Sequence, residues 1–137
     1  MLSKWYTQYG HCRFKRNGRT DTEVDCWQLV RLIYRDHLGI DLPTIEGVYV
    51  DDSPLGIRHV SRAMAEERKL WPQVTEPQEF DLVLIKPRGN LFFHVGCYIP
   101  RNKMLHIEEG SQVTSERIDG IVWQNRIEGF YRHASRC

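Results

Sequence analysis

The 137-residue sequence contains no apolar run near the roughly 18 residues a membrane-spanning helix requires, so insertion through such a helix is not expected. The opening MLSKWYTQYG has no apolar core of the secretory kind, and synthesis and folding in the cytoplasm are therefore expected. Charge of one sign is also missing. Lys and Arg number 19 against 18 Asp and Glu, which leaves no basic field for nucleic acid and no polyacidic tail. The one basic run, RFKRNGR, is interrupted by Phe14, Asn17 and Gly18 and reads as a solvated loop or a weak anion patch. Only four cysteines occur, Cys12, Cys26, Cys97 and Cys137, with wide spacings and no C-x-x-C pair. Neither a disulfide framework nor a zinc knuckle is suggested. Internal repeats, low-complexity tracts and Gly/Ser/Pro linkers are absent, and the length suits one domain over residues 1–137.

What remains is a globular chain, 41% hydrophobic and 11% aromatic, whose pattern changes along its length. The first 25 residues are turn-rich. From Cys26 the apolar positions fall at Leu29, Val30, Ile33, Tyr34 and Leu38, the stripe of a helix with one buried face. Asp25 reads as its N-cap, with Gln28 completing a capping box, and Gly39 reads as its stop. A second, less regular helix is expected over 57–70. Thereafter the period shortens, in FDLVLI, LFFHVGCYI, MLHIE, IVW and RIEGFYRH, with turn signals between them. Helices followed by consecutive strands indicate an α+β fold, with an antiparallel sheet of about five to six strands packed on N-terminal helices.

Cys26 on the first turn of a helix is open to two readings. Cysteine is among the most buried residue types, and this one lies on the apolar stripe, so a structural thiol is the default. The alternative is a nucleophile. The positive helix end and its free N–H groups, with Asp25 as cap and Cys26 at the first helical position, favour a thiolate and can receive an oxyanion. A nucleophile of this kind needs a base and the base needs an orienter. His94 and His106 lie inside two apolar strands, 12 residues apart with a turn between. A hairpin centred near Pro100 would set them directly opposite each other on one face, with Cβ atoms about 4.5–5.5 Å apart. An odd register would separate them. Either histidine alone would read as a core residue bonded to backbone; together with Cys26 they read as nucleophile, base and orienter. A metal site at Cys26, His94, Cys97 and His106 competes for the same atoms, but Cys97 is an odd number of residues from His94 and belongs to the other face of the strand. No metal is expected. His11, His37, His59 and His133 read as surface or interface residues.

The order VDCWQLVRLIY…LGIDLP, FDLVLI, HVGCYI and MLHIEEG resembles the NlpC-type, papain-like cysteine peptidases of bacterial cell walls, and in particular the branch carried by tailed bacteriophages. The resemblance implies a papain-like fold, Cys26 as nucleophile, His94 as base, His106 as the residue holding His94, and no cofactor. It implies cleavage of a peptidoglycan stem peptide, usually between D-glutamate and a diamino acid, through a thioester. It further implies delivery by a tail tip, hub or baseplate, with the chain made in the host cytoplasm, packaged in the virion and acting on the wall in the periplasm during DNA entry. Three departures from the family pattern stand out: Trp27 and Gln28 stand where Ser-Gly is common, Phe14 where a substrate-side tyrosine is placed, and Phe80 where a glycine precedes DLV. Phe14 and Trp27 are thereby marked as candidate substrate contacts. Two readings compete with the peptidase: a structural tail-assembly protein with an idle or masked site, and an acyltransferase or lipid hydrolase on the same fold, in which the histidine more often precedes the cysteine.

Overall fold

The computed structural model describes residues 4–45, 65–86 and 94–137. Among the described residues the long helix, α1, spans Cys26–Leu38. Asp25 stands in extended backbone and its carboxylate accepts from the Gln28 N–H at 2.9 Å. Satisfying one of the orphan N–H groups in this way is worth about 1 kcal/mol. Half of the expected capping box forms. The Gln28 side chain turns away, donating to Thr20 O at 3.1 Å and accepting from Arg31 at 2.7 Å, so it ties the helix start to the preceding turn. At the other end Gly39 takes φ +64°, a left-handed stop available to glycine at no steric cost, and its N–H closes onto Tyr34 O. The expected stripe is buried from Cys26 to Tyr34 and half-buried at Leu38, and Trp27 and Leu32 join it, so α1 is sunk into the protein over its first two turns.

Two short strands precede the helix, β1 (Arg13–Phe14) and β2 (Glu23–Val24), paired in parallel. The remaining strands are β3 (Gln73–Val74), β4 (Leu82–Ile85), β5 (His94–Ile99), β6 (Lys103–His106), β7 (Thr114–Arg117) and β8 (Ile127–Tyr131). They form one antiparallel sheet in the order β3-β8-β4-β5-β6-β7. The α+β architecture with a six-stranded sheet is the one expected. Residues 65–68 are helical, while most of the helix expected over 57–70 lies outside the described residues. The segment IVW is not a strand: residues 121–123 form a turn in which Ile121 is 90% exposed and Trp123 is buried.

Period-2 alternation places side chains on two faces. Leu82, Val95, Cys97, Ile99 and Leu105 pack with α1 in the larger cluster, whereas Val83, Ile85, Met104, Ile118 and Trp123 form a second cluster on the other face. Buried Asp81 anchors the end of the sheet, its carboxylate accepting from Arg132 at 2.9 and 2.8 Å. Beside it Phe80 adopts φ +76°, left-handed backbone of the kind that would suit the glycine the resemblance leads one to expect here. A phenylalanine there is held by its ring, which stacks on Trp5 at 4.7 Å, and by its carbonyl, which accepts from the Tyr34 hydroxyl.

Candidate active site

Three elements meet at the site: the N-terminus of α1, the start of β5 and the end of β6. Cys26, His94 and His106 are each only 1% exposed. The Cys26 thiol lies against the backbone amide of Val95, the residue after His94, as well as the amides of Trp27 and of Cys26 itself. These amides favour the thiolate. Burial opposes them more strongly, and the Asp25 carboxylate adds to that opposition, so the Cys26 thiol is pushed well above the ordinary cysteine range. The thiolate expected from the helix end is therefore not the resting form.

The two histidines come together, though not by the expected register. The hairpin pairs Cys97 with Leu105, Tyr98 with Met104 and Ile99 with Lys103, so it is centred on Arg101 and not on Pro100. Arg101 and Asn102 both take left-handed backbone, at φ +71° and +61°, and lengthen the loop to Pro100–Asn102. This two-residue shift leaves face parity unchanged and makes His94 a diagonal neighbour of His106. The rings lean across the gap: His94 Nε2 lies 3.1 Å from His106 Nδ1, with the ring planes at 68°. The residue facing His106 in this register is Gly96. A Cβ there would lie 3.3 Å from His106 Cβ and 3.2 Å from Leu105 O, closer than ordinary packing. Gly96→Ala should therefore cost about 1–3 kcal/mol of overpacking and move the His106 ring. Thermal unfolding together with the His106 ring resonances will check both; an unchanged Tm with unchanged resonances would contradict it.

His106 is held on two further sides. Its Nε2 lies 2.6 Å from Oε2 of Glu116 on β7, and its ring meets Trp123 edge-on at 4.8 Å, with Arg126 over the outer face of that indole at 4.6 Å. His94 in contrast has one bonded nitrogen. Its Nδ1 is buried and makes no hydrogen bond. Burial, followed by the neighbouring His106 and then Arg126, lowers its pKa from 6.5 to about 3, so His94 is a neutral imidazole with a free nitrogen. An unpaired buried acceptor costs free energy, and a base awaiting its proton is one explanation for it.

The other candidates are placed as follows. Trp27 is buried, donates to Pro43 O at 2.8 Å, and meets Trp71 edge-on at 6.3 Å. With Val95, Leu82, Leu84, Ile45, Glu67, Arg68, Trp71 and Tyr131 it lines an apolar cavity of about 70 Å³. Phe14 is half-buried on β1 against the helix-side cluster, opposite Val24. Cys97 packs in that same cluster, on the strand face opposite His94, and no group of three or more metal-ligating side chains occurs among the described residues. None of the four cysteines is in a disulfide. His133 accepts from Ser135 N–H, half-buried His37 packs beside Trp5 at 5.1 Å, and His59 lies outside the described residues. Two residues escaped the sequence reading, Gly96 and Glu116. The signal for Glu116 was its even offset from His106 in a following strand, hidden because TSER is polar and does not look like a strand.

The sequence pattern of the NlpC/P60 family matches residues 10–132. The probable endopeptidase NlpC homolog of Haemophilus influenzae is 26% identical over 124 residues, which cover 89% of this chain and 56% of the relative. The murein DD-endopeptidase MepS/murein LD-carboxypeptidase of Escherichia coli K12 is 25% identical over 133 residues, covering 96% of this chain and 61% of the relative. The chain thus spans 56–61% of the length of these two curated relatives. A crystal structure of an NlpC/P60 family protein from Bacillus cereus superposes with a TM-score of 0.64 at 19% identity, covering 94% of this chain and 38% of that one, and shares its fold.

Proposed function

Because the chain belongs to the NlpC/P60 family, we propose that it is a cysteine peptidase cleaving peptidoglycan stem peptides, with Cys26 as nucleophile, His94 as general base and His106 as orienter. The observation that carries this reading is a helix-start thiol set against the amide of Val95, the residue after a buried histidine whose Nδ1 makes no hydrogen bond. In the proposed reaction Cys26 Sγ bonds to the amide carbon while its proton passes to His94 Nδ1. The amide N–H groups at the start of α1 receive the oxyanion. His94 then protonates the leaving nitrogen, the C–N bond breaks, and a thioester remains. Water, deprotonated by the same Nδ1, hydrolyses the thioester and restores the thiol. The target is proposed to be the bond from D-glutamate to the diamino acid, with Phe14 and Trp27 as side-chain contacts.

The test is direct. Purified protein incubated with a tripeptide or tetrapeptide stem should release L-alanyl-D-glutamate, and an electrophilic stem-peptide analogue should label Cys26 as read by mass spectrometry. Release of a different fragment would move the bond, and no release across pH 5–9 together with no label would sink the peptidase. Burial of the nucleophile and base favours a second reading, a structural protein whose site is held closed. In that case hydrolysis should appear only after a partner is removed. The resemblance of the motif order to the bacteriophage branch extends the proposal to delivery in a particle's tail tip to the periplasmic wall. Purified particles lacking this chain on a denaturing gel would refute that delivery.

A further inference from the structure

We propose that Glu116 sets the direction of a hydrogen-bond relay, Glu116–His106–His94, so that the one nitrogen left free is Nδ1 of His94. The three residues stand on three successive strands and on one face of the sheet, each step a diagonal one. In the register, Glu116 faces Met104, two residues from His106, as the Gly96 position opposite His106 is two residues from His94. The steps are closed by contacts of 2.6 Å from Glu116 Oε2 to His106 Nε2 and 3.1 Å from His106 Nδ1 to His94 Nε2.

An ionised carboxylate accepts and cannot donate, and a neutral imidazole carries one N–H. Glu116 therefore draws the His106 proton to Nε2. His106 Nδ1 is left as an acceptor and takes the N–H of His94 Nε2. His94 Nδ1 is then a lone pair, and this is the nitrogen that is buried without a partner. The opposite direction would set the His106 Nε2 lone pair against a carboxylate oxygen at 2.6 Å and bury an N–H of His94 with no acceptor. Glu116 touches no reacting atom in this scheme; it is a positioning residue acting through two imidazoles. Its side chain is 39% exposed, so substitutions there do not open a core cavity.

The inference uses the peptidase reading for its kinetic arm only. In the full chain labelled with ¹⁵N-histidine, two-bond ¹H–¹⁵N correlation should show His94 and His106 both as Nε2–H tautomers. Glu116→Lys, which donates and cannot accept, should switch both to Nδ1–H and lower kcat on a stem peptide by roughly 100-fold or more, with KM within about twofold. Glu116→Gln keeps an acceptor oxygen and should retain the wild-type tautomers with a loss of less than about 10-fold. If the Lys variant does not fold, Glu116→Ala serves in its place, and an Nδ1–H signal from His94 should appear in it. Tautomers that are the same in wild type and in both the Lys and Ala variants would overturn the proposal, as would an Nδ1–H His94 in the wild type. A switch of tautomers in a protein that cleaves no stem peptide would uphold the relay and sink the peptidase reading.

Discussion

Cys26→Ala should bring stem-peptide hydrolysis to background, His94→Ala should lower kcat by roughly 10²- to 10⁴-fold, and His106→Ala should lower it by only about 10- to 100-fold. The order follows from what each substitution removes. Without Sγ no covalent intermediate can form. Without His94 the thiol must lose its proton to water, although burial and the adjacent Asp25 have pushed that thiol up, which makes the unaided step poor. Without His106 the base is still present, but His94 Nε2 has lost its acceptor at 3.1 Å and its free nitrogen is no longer held in one orientation. Steady-state kinetics on a defined peptide decide it, and equal losses from the two histidine variants would refute the ranking. The same geometry predicts a slow resting thiol. Alkylation of Cys26 at pH 7 should be slower than that of a free cysteine, whose pKa is about 8.5, because burial disfavours the thiolate and His94 is not an imidazolium partner. The proton transfer then accompanies substrate attack in place of preceding it, and a resting thiolate–imidazolium pair is not part of the scheme.

The helix was legible in the sequence because its signals are local: Asp25 before an apolar stripe, and Gly39 where a left-handed stop was needed. The shared face of His94 and His106 was legible for a different reason. Parity survives a register error of two residues, and the actual register differs by that amount. What misled the register was the turn. Pro100 marks its first residue, but two consecutive residues of positive φ, Arg101 and Asn102, set its centre, and neither is a glycine that would have announced it. β7 was missed because its solvent-facing residues carry no apolar alternation, and IVW was mistaken for a strand because its apolar residues belong to an exposed turn. Both errors hid the third member of the relay. Glu116 can be recognised only once β7 is known to run beside β6. Phe80 teaches the converse. Its φ of +76° cannot be read from a bulky aromatic, and only tertiary contacts with Trp5 and Tyr34 hold the backbone there.

Acid should unfold the wild-type protein sooner than a His94→Gln variant, and the difference should grow at about 1.4 kcal/mol per pH unit below the ordinary histidine pKa. His94 titrates at 6.5 in the unfolded chain and is lowered to about 3 when folded, chiefly by burial. Above pH 6.5 both states hold it neutral, and it contributes no pH dependence. Between that value and about 3 the unfolded state binds a proton that the folded state refuses, so stability falls as pH falls, by roughly 3 kcal/mol at pH 4. Other buried groups run the other way. Burial raises the Asp25 and Glu67 carboxyls, so these take up protons earlier in the folded state and gain relative stability on acidification. They are present in both proteins, and their contribution cancels in the comparison. Urea unfolding at pH 7, 6, 5 and 4 measures the difference directly. Parallel curves for wild type and His94→Gln would mean that His94 accepts a proton in the folded protein as readily as in water. Its free Nδ1 would then be open to solvent, and it would no longer be the base that the closed site keeps neutral for the Cys26 proton.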